Sequence, residues 1–164
     1  IRVQLFKRLM VFHFLRIIFH KLRSLFNRYQ SRISVGERIH RIRPTLQTLD
    51  WENVDLYIIG RSAGAIVASR LALEFPVKAV IALGYPFIHP TYGLQHYRVK
   101  HLPFMDTPLY IFQGTRDEYG KPEDLSCFSM STKVKLIPLN TDHAFVLDGQ
   151  TWEDFASQLA AIIA

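Results

Sequence analysis

Residues 56–65 read Leu-Tyr-Ile-Ile-Gly-Arg-Ser-Ala-Gly-Ala, and this stretch decides the fold. An apolar strand runs into Gly-x-Ser-x-Gly and then into a helix-forming run, which is the pattern of a nucleophile elbow. Gly60 and Gly64 are expected to let neighbouring backbone approach without a Cβ clash. The turn would lift the hydroxyl of Ser62 clear of the sheet, at a helix N-terminus where unpaired N–H groups and the helix dipole favour negative charge. Ser62 is therefore a candidate nucleophile.

The pattern on either side of this turn alternates strands and helices. Repeated β-α-β units with Val, Ile and Leu runs predict an α/β fold, a three-layer parallel sheet flanked by helices. A helix is predicted over Gly36–Leu49, where Pro44 either bends it or marks its true first turn. The further predicted elements are strand 54–59, helix 63–75, strand 77–83, a long loop, strand 109–113, a helix near 121–130, strand 134–139 and helix 152–163.

An activated serine needs a base to take its proton and a carboxylate to orient that base. Asp117 and His143 each follow the end of a predicted apolar strand. Because parallel strands point the same way, both side chains should emerge beside Ser62 at the edge where open α/β folds bind ligands. We predict Ser62 as nucleophile, His143 as general base and then acid, and Asp117 as the orienting carboxylate. Glu118 and Asp142 stay open as the acid, and an ordinary strand-to-helix turn stays open for the serine.

Three further residues are candidates for contact with a substrate. Arg61 directly precedes the serine, and Tyr85 and Phe87 follow the next predicted strand at the same sheet edge. All three are predicted to line a substrate pocket. The alternatives are a solvent-facing or ion-paired side chain for Arg61 and a hydrophobic lid over the helix ends for the Tyr-Pro-Phe stretch.

Composition indicates one globular domain preceded by a basic segment. The chain has 164 residues, of which 49% are hydrophobic and 21% charged. Residues 1–43 carry 11 Lys/Arg against the single Glu37, whereas residues 44–164 carry 9 against 13 acidic residues. We therefore separate a basic apolar segment of uncertain structure, 1–36, from a domain over 37–164.

Several functional classes are disfavoured by the sequence. The longest uncharged apolar stretch of the basic segment, Leu9–Leu15, is far shorter than the ~20 residues that cross a bilayer, so no transmembrane helix is predicted. The segment lacks a recognisable nucleic-acid module. We predict no metal or other cofactor, because the loop histidines His89, His96 and His101 are irregularly spaced without a carboxylate cluster. The single cysteine, Cys127, excludes an internal disulfide and fits a reducing, cytoplasmic location.

Taken together, five motifs resemble those of the KANL/Tex-type, dienelactone-hydrolase-like group of α/β-hydrolase-fold proteins. They are Gly60-Arg61-Ser62-Ala63-Gly64, Leu83-Gly84-Tyr85-Pro86 with His89-Pro90, His101-Leu102-Pro103, Gln113-Gly114-Thr115-Arg116-Asp117 and Asp142-His143-Ala144-Phe145. The resemblance covers roughly residues 37–164 and implies the C-terminal half of an α/β-hydrolase fold. It implies a Ser62, Asp117, His143 triad acting on an ester-like or other acyl small molecule. Because some members look like scaffolds, a non-catalytic interaction module or an inactive truncated fragment stays the alternative.

The sequence departs from this group in two ways. Ala63 stands where a bulkier Met is usual, and the early strands with their His-Gly-type loop have no counterpart. The chain starts at Ile1, and we interpret it as a fragment, a processed product or a shortened gene product. The N–H of Ala63 is then the one identifiable donor to the oxyanion. The missing loop would supply the second donor, and losing one such donor typically lowers kcat by ~10²–10³. A half-sheet would also expose strand 54–59 as an apolar edge open to self-association.

Overall fold

The computed structural model describes residues 33–164. Most of the predicted basic segment 1–36, with its apolar stretch Leu9–Leu15, lies outside the described residues. Residues 35–164 form one unit in the contact pattern of the chain. Within the described residues, none of the helices combines the length and the apolar character that crossing a membrane requires.

Three α-helices and six strands make up this unit, and short 3₁₀ turns join some of them. The helices are α1 (Val35–Gln47), α2 (Ala63–Leu71) and α3 (Gly149–Ile163). The strands are β1 (Tyr57–Arg61), β2 (Ala79–Leu83), β3 (Ile88–His89), β4 (Gly93–Leu94), β5 (Leu109–Gly114) and β6 (Val134–Leu139). Pro44 lies inside α1, so it does not mark the first turn of that helix.

Four of the strands form a parallel sheet in the order β1-β2-β5-β6, while β3 and β4 pair as a separate antiparallel ribbon. The register pairs Arg61 with Leu83, Leu83 with Phe112, and Gly114 with Leu139. The four strands therefore end close to one level. Whatever follows each strand is brought to the same edge of the sheet.

The central strands are covered on both faces. Successive side chains of a strand point to opposite faces, and in β2 Val80 packs in a cluster with Ile66 of α2, whereas Ile81 packs with Phe155 of α3. All four of these side chains are buried. The predicted fold class, a parallel sheet between layers of helices, is confirmed.

Element ends differ from the prediction for identifiable reasons. Helix α2 ends at Leu71 and not near residue 75, because the N–H groups of Leu73 and Glu74 bond to carbonyls three residues back and continue the chain as turns. A proline at 76 then disfavours helical geometry at Phe75. The predicted helix near 121–130 is instead a 3₁₀ helix, Pro122–Cys127, whose buried residue is Leu125. An amphipathic α-helix needs a continuous apolar face, and a segment with Leu125 as its one buried side chain does not provide such a face.

Strand β1 lies at one end of the described sheet. Its one strand neighbour among residues 33–164 is β2, and Ile59 of β1 is 40% exposed. It begins at Tyr57, later than the predicted strand 54–59. Self-association through this edge stays a prediction.

Candidate active site

Ser62 lies at the turn between β1 and α2 in a backbone conformation that side chains rarely adopt. Its φ is 51° and its ψ is −124°. The turn is held from both sides, because Ser62 N–H donates to the carbonyl of Leu83 at 3.1 Å and the Ser62 carbonyl accepts from Ala65 N–H at 2.8 Å. Strained backbone of this kind persists where its surroundings determine it, and it is common at functional sites.

The two glycines of the motif have different roles. A Cβ built on Gly60 would lie 2.5 Å from the carbonyl oxygen of Gly64 and 2.8 Å from the Cα of Ala65, so this position must lack a side chain. Apart from its chain neighbours and the backbone of its own helix, a Cβ on Gly64 would meet no atom of the described residues within 4 Å. The expected close approach therefore exists at Gly60 and not at Gly64.

The structure brings Ser62, His143 and Asp117 into one hydrogen-bonded series. The distance from Ser62 Oγ to His143 Nε2 is 2.9 Å, and His143 Nδ1 lies 2.9 and 3.0 Å from the two carboxylate oxygens of Asp117. A carboxylate accepts hydrogen bonds, which assigns the ring proton to Nδ1. Nε2 is then free to accept from the serine hydroxyl, which is the protonation pattern a general base requires.

Asp117 is the carboxylate that faces His143, and the two open alternatives point elsewhere. Its side chain is fully buried and also accepts from the backbone N–H of Tyr119 at 2.8 Å and from Gln113 Nε2 at 3.0 Å. Glu118 is exposed, and the exposed Asp142 accepts from a backbone N–H of its own loop. The turn after β5 therefore presents Asp117 with donors around both of its oxygens.

Arg61 supports the loop that carries His143. Its guanidinium donates to the carbonyl oxygens of His143 and Ala144, each at 3.0 Å. The same loop contains Phe145 at a φ of 57°, and the Thr141 hydroxyl donates across it to the carbonyl of Val146. Arg61 therefore holds the backbone of the histidine loop, a role that the sequence did not reveal, and its place in a substrate pocket stays a prediction.

Tyr85 and Phe87 belong to the core, which corrects their predicted place in a substrate pocket. Both side chains are fully buried. The Tyr85 hydroxyl donates to the carbonyl of Arg98 at 2.5 Å, and burial raises the pKa of this phenol far above its ordinary value. Phe87 packs between the rings of Tyr85 and Phe128. After the turn at Gly84, where φ is 62°, the chain directs both rings inward and leaves the sheet edge.

Two side chains next to the His143–Asp117 pair were not identified as site residues from the sequence. The ring of Tyr119 lies 4.1 Å from that of His143, centroid to centroid, in a tilted stack. Gln113 is the penultimate residue of β5, and its Nε2 donates a hydrogen bond to Oδ2 of Asp117. The available signal for Gln113 was a polar residue at the end of an otherwise apolar strand.

The N–H of Ala63 is placed where an anion would be favoured. Ala63 is the first residue of α2 and follows Ser62 directly. The first N–H groups of a helix have no partner within the helix and carry the positive end of its dipole. The arrangement suits a donor to negative charge that develops beside Ser62 Oγ.

Two of the three loop histidines, His89 and His101, hydrogen-bond to groups other than a metal ligand set. His89 Nδ1 accepts from the backbone N–H groups of Thr91 and Tyr92, and His101 contacts the hydroxyl of Ser69. Over residues 33–164, His, Cys, Asp and Glu side chains form no group of three that could hold a metal ion.

Comparison with known proteins gives the family. The sequence matches the Alpha/beta hydrolase domain family over residues 32–164, and the chain belongs to that family. This match does not distinguish the narrower KANL/Tex-type group, so membership of that group stays a prediction. Comparison with curated proteins found no match.

Solved structures share the fold at low sequence identity. The esterase domain of a Rhodothermus marinus protein is 20% identical with a TM-score of 0.56, over 75% of this chain and 66% of that one. A Pyrococcus furiosus esterase is 19% identical with a TM-score of 0.60, over 80% and 63% of the two chains. A serine hydrolase homologue from Coxiella burnetii is 17% identical with a TM-score of 0.59, over 80% and 61%. The chain thus spans less than two thirds of the length of these three proteins.

Proposed function

We propose that this protein is a serine hydrolase that acts on an ester-like or other acyl substrate, with Ser62 as nucleophile. The observation that carries the proposal is the pair of contacts at His143, 2.9 Å from Nε2 to the serine oxygen and 2.9 Å from Nδ1 to Asp117. Family membership and the fold shared with esterases support it.

Acylation would begin with attack of Ser62 Oγ on the acyl carbonyl carbon. His143 Nε2 takes the hydroxyl proton as the new C–O bond forms, and the resulting imidazolium is stabilised by the buried carboxylate of Asp117. The carbonyl oxygen becomes an oxyanion, for which the N–H of Ala63 is the candidate donor. Collapse of this intermediate breaks the bond to the leaving group, which takes the proton from Nε2 and departs as an alcohol or equivalent.

Deacylation repeats the same proton transfers with water as nucleophile. His143 Nε2 removes a proton from water as its oxygen attacks the acyl carbon bound to Ser62. The second intermediate then releases the acid and returns the proton to Ser62 Oγ. The reaction as a whole consumes one water and needs no redox partner.

Hydrolysis of p-nitrophenyl esters with acyl chains of different lengths tests the proposal. The 164-residue chain should release p-nitrophenolate, and Ser62→Ala and His143→Ala should each lower kcat/KM by at least ~10³. Ser69→Ala is the matched control, because Ser69 is a buried serine in α2, the helix that follows Ser62, and it is not part of the hydrogen-bonded series. We expect this variant to keep most of the activity.

Two results would contradict the proposal. One is a folded wild-type protein that hydrolyses none of the esters, which would favour a non-catalytic interaction module or an inactive truncated fragment. The other is an activity that survives Ser62→Ala unchanged, which would place the reaction elsewhere in the chain.

A further inference from the structure

Gln113 is a polar side chain buried at the centre of the candidate site. It is fully buried and makes three hydrogen bonds that join three segments of the chain. Its Nε2 donates to Asp117 Oδ2 at 3.0 Å and to the carbonyl of Gly120 at 2.7 Å. Its Oε1 accepts from the backbone N–H of Tyr85 at 2.8 Å.

These partners determine which way the amide of Gln113 faces. The carboxylate of Asp117 and the carbonyl of Gly120 are acceptors, so both require the NH₂ group. The N–H of Tyr85 is a donor, so it requires the carbonyl oxygen. A flipped amide would lose all three bonds while remaining buried, which costs far more than each bond contributes.

The space around the carboxylate leaves it little freedom. A Cβ on Gly84 would lie 3.4 Å from Asp117 Oδ2 and 3.5 Å from His143 Nδ1, so the turn after β2 packs directly against the acid and the imidazole. Gln113 binds that same turn at Tyr85 and the acid turn at Asp117 and Gly120. The amide therefore ties together the two turns between which the Asp117 carboxylate lies.

We propose that Gln113 is a positioning residue, whose amide holds Asp117 in the orientation that keeps the proton of His143 on Nδ1. The inference rests on the proposed function, since it assigns Gln113 a part in the same site. Gln113 is fully buried and hydrogen-bonds to Asp117, Gly120 and Tyr85, so it acts on the site through Asp117. Buried hydrogen bonds of this kind preorganise catalytic side chains, and small displacements of such groups lower rates by ~10²-fold.

The test compares two substitutions at Gln113 with a control. Gln113→Met keeps length and approximate shape but supplies no N–H. Gln113→Glu keeps an acceptor for Tyr85 N–H, and its carboxyl can donate to Asp117 only while it is protonated. The control, Ser69→Ala, removes a different buried polar group, a hydroxyl whose hydrogen bonds are to Ile66 and His101 and not to Asp117. Each variant is first shown to be folded by circular dichroism.

The first readout is the protonation of the His143 ring, from ¹⁵N shifts of histidine-labelled protein assigned with His143→Ala. Wild type and Ser69→Ala should show a protonated Nδ1 and a bare Nε2. Gln113→Met should move both shifts toward the average of the two tautomers. Unchanged shifts in folded Gln113→Met would overturn the proposal, and this readout does not depend on whether any ester is hydrolysed.

The second readout is ester hydrolysis. We expect Gln113→Met to lower kcat ten- to a hundredfold with little change in KM. The activity of Gln113→Glu relative to wild type should fall as pH rises and the introduced carboxyl loses its proton. Wild-type kcat in folded Gln113→Met would also overturn the proposal. If the ¹⁵N shifts respond but wild-type protein hydrolyses no ester, the proposed function fails and the positioning role stands.

Discussion

At the scale of single residues, the site depends on backbone that must pass very close to other backbone. Ser62 is held at a positive φ, and the carbonyl of Gly64 occupies the space that a side chain at Gly60 would need. A comparable approach occurs at Gly114, where a Cβ would lie 2.5 Å from the carbonyl oxygen of Thr141. The first brings the start of α2 close to β1 at the serine turn, and the second brings the histidine loop close to the end of β5.

The two glycines of the motif should respond differently to alanine. Gly60→Ala forces a Cβ into backbone 2.5 Å away, so we expect a large loss of stability, at least ~3 kcal/mol, or failure to fold. Gly64→Ala adds a methyl to open space near the start of a helix, where alanine is favoured over glycine by up to ~1 kcal/mol. Urea denaturation of both variants measures the difference. Equal destabilisation of the two would contradict the assigned roles.

The sequence predicted some site residues and could not predict others. Ser62, Asp117 and His143 follow strand ends, and the positions of strand ends can be read from apolar runs. Tyr85 also follows a strand, but its direction depends on the turn at Gly84, where a positive φ rotates the chain inward. The role of Gln113 depends on how the turn after β5 folds back to place Asp117 and Gly120 against its amide, and on a contact with Tyr85 from a distant part of the sequence, and the polar residue at the strand end predicts neither.

At the scale of elements, helix α3 supports the side of the sheet that carries the histidine loop. Phe155 of α3 packs edge-on against Phe112 of β5 at 4.9 Å and against Phe145 of that loop at 5.8 Å, centroid to centroid. The helix begins at Gly149, three residues earlier than predicted, because the Asp148 carboxylate accepts from Thr151 N–H and caps it. The apolar pattern on which the prediction rested starts only at Trp152.

Truncation of the ring that joins α3 to the sheet should be costly. Phe155→Ala removes a buried aromatic side chain and leaves a cavity beside Phe112, so we expect a loss of ~3 kcal/mol or more in the free energy of unfolding. Gln158→Ala is the control on the exposed face of the same helix and should change stability by less than ~0.5 kcal/mol. Urea denaturation gives both values. If Phe155→Ala lowered the free energy of unfolding only slightly, the packing of α3 on the sheet face at Phe112 would not be a main source of stability.

At the scale of the whole molecule, the core contains a histidine that must stay neutral. His101 Nε2 lies 2.8 Å from Ser69 Oγ, and the Ser69 hydroxyl donates a hydrogen bond to the carbonyl of Ile66. His101 Nδ1 is buried without a hydrogen-bond partner among the described residues. Burial, together with the positive charges of Arg70 and Lys100, lowers the pKa of His101 to about 4.

This histidine should make stability depend on pH. Its pKa is about 4 in the folded protein and ~6.5 when unfolded, so the unfolded chain binds the proton first as pH falls. The contribution of neutral His101 to the free energy of unfolding is fully present above pH ~6.5, the pKa of histidine in the unfolded chain. It is lost progressively as the pH falls toward 4, and it amounts to at most ~3 kcal/mol.

Urea denaturation at about pH 7 and about pH 4.5 measures this dependence. Wild type should lose more stability between the two conditions than His101→Gln, whereas His40→Gln, at an exposed histidine, should behave as wild type. The same pH dependence in wild type and His101→Gln would contradict the assignment.

The central claim is that His143 activates Ser62, and a fluorophosphonate probe tests it most directly. The probe forms a covalent bond with activated serines, and mass spectrometry of the digested 164-residue chain identifies the modified residue. We predict a single adduct on Ser62 in the folded protein, and its loss in His143→Ala. A folded wild-type protein in which Ser62 stays unmodified, or in which labelling persists without His143, would contradict the account.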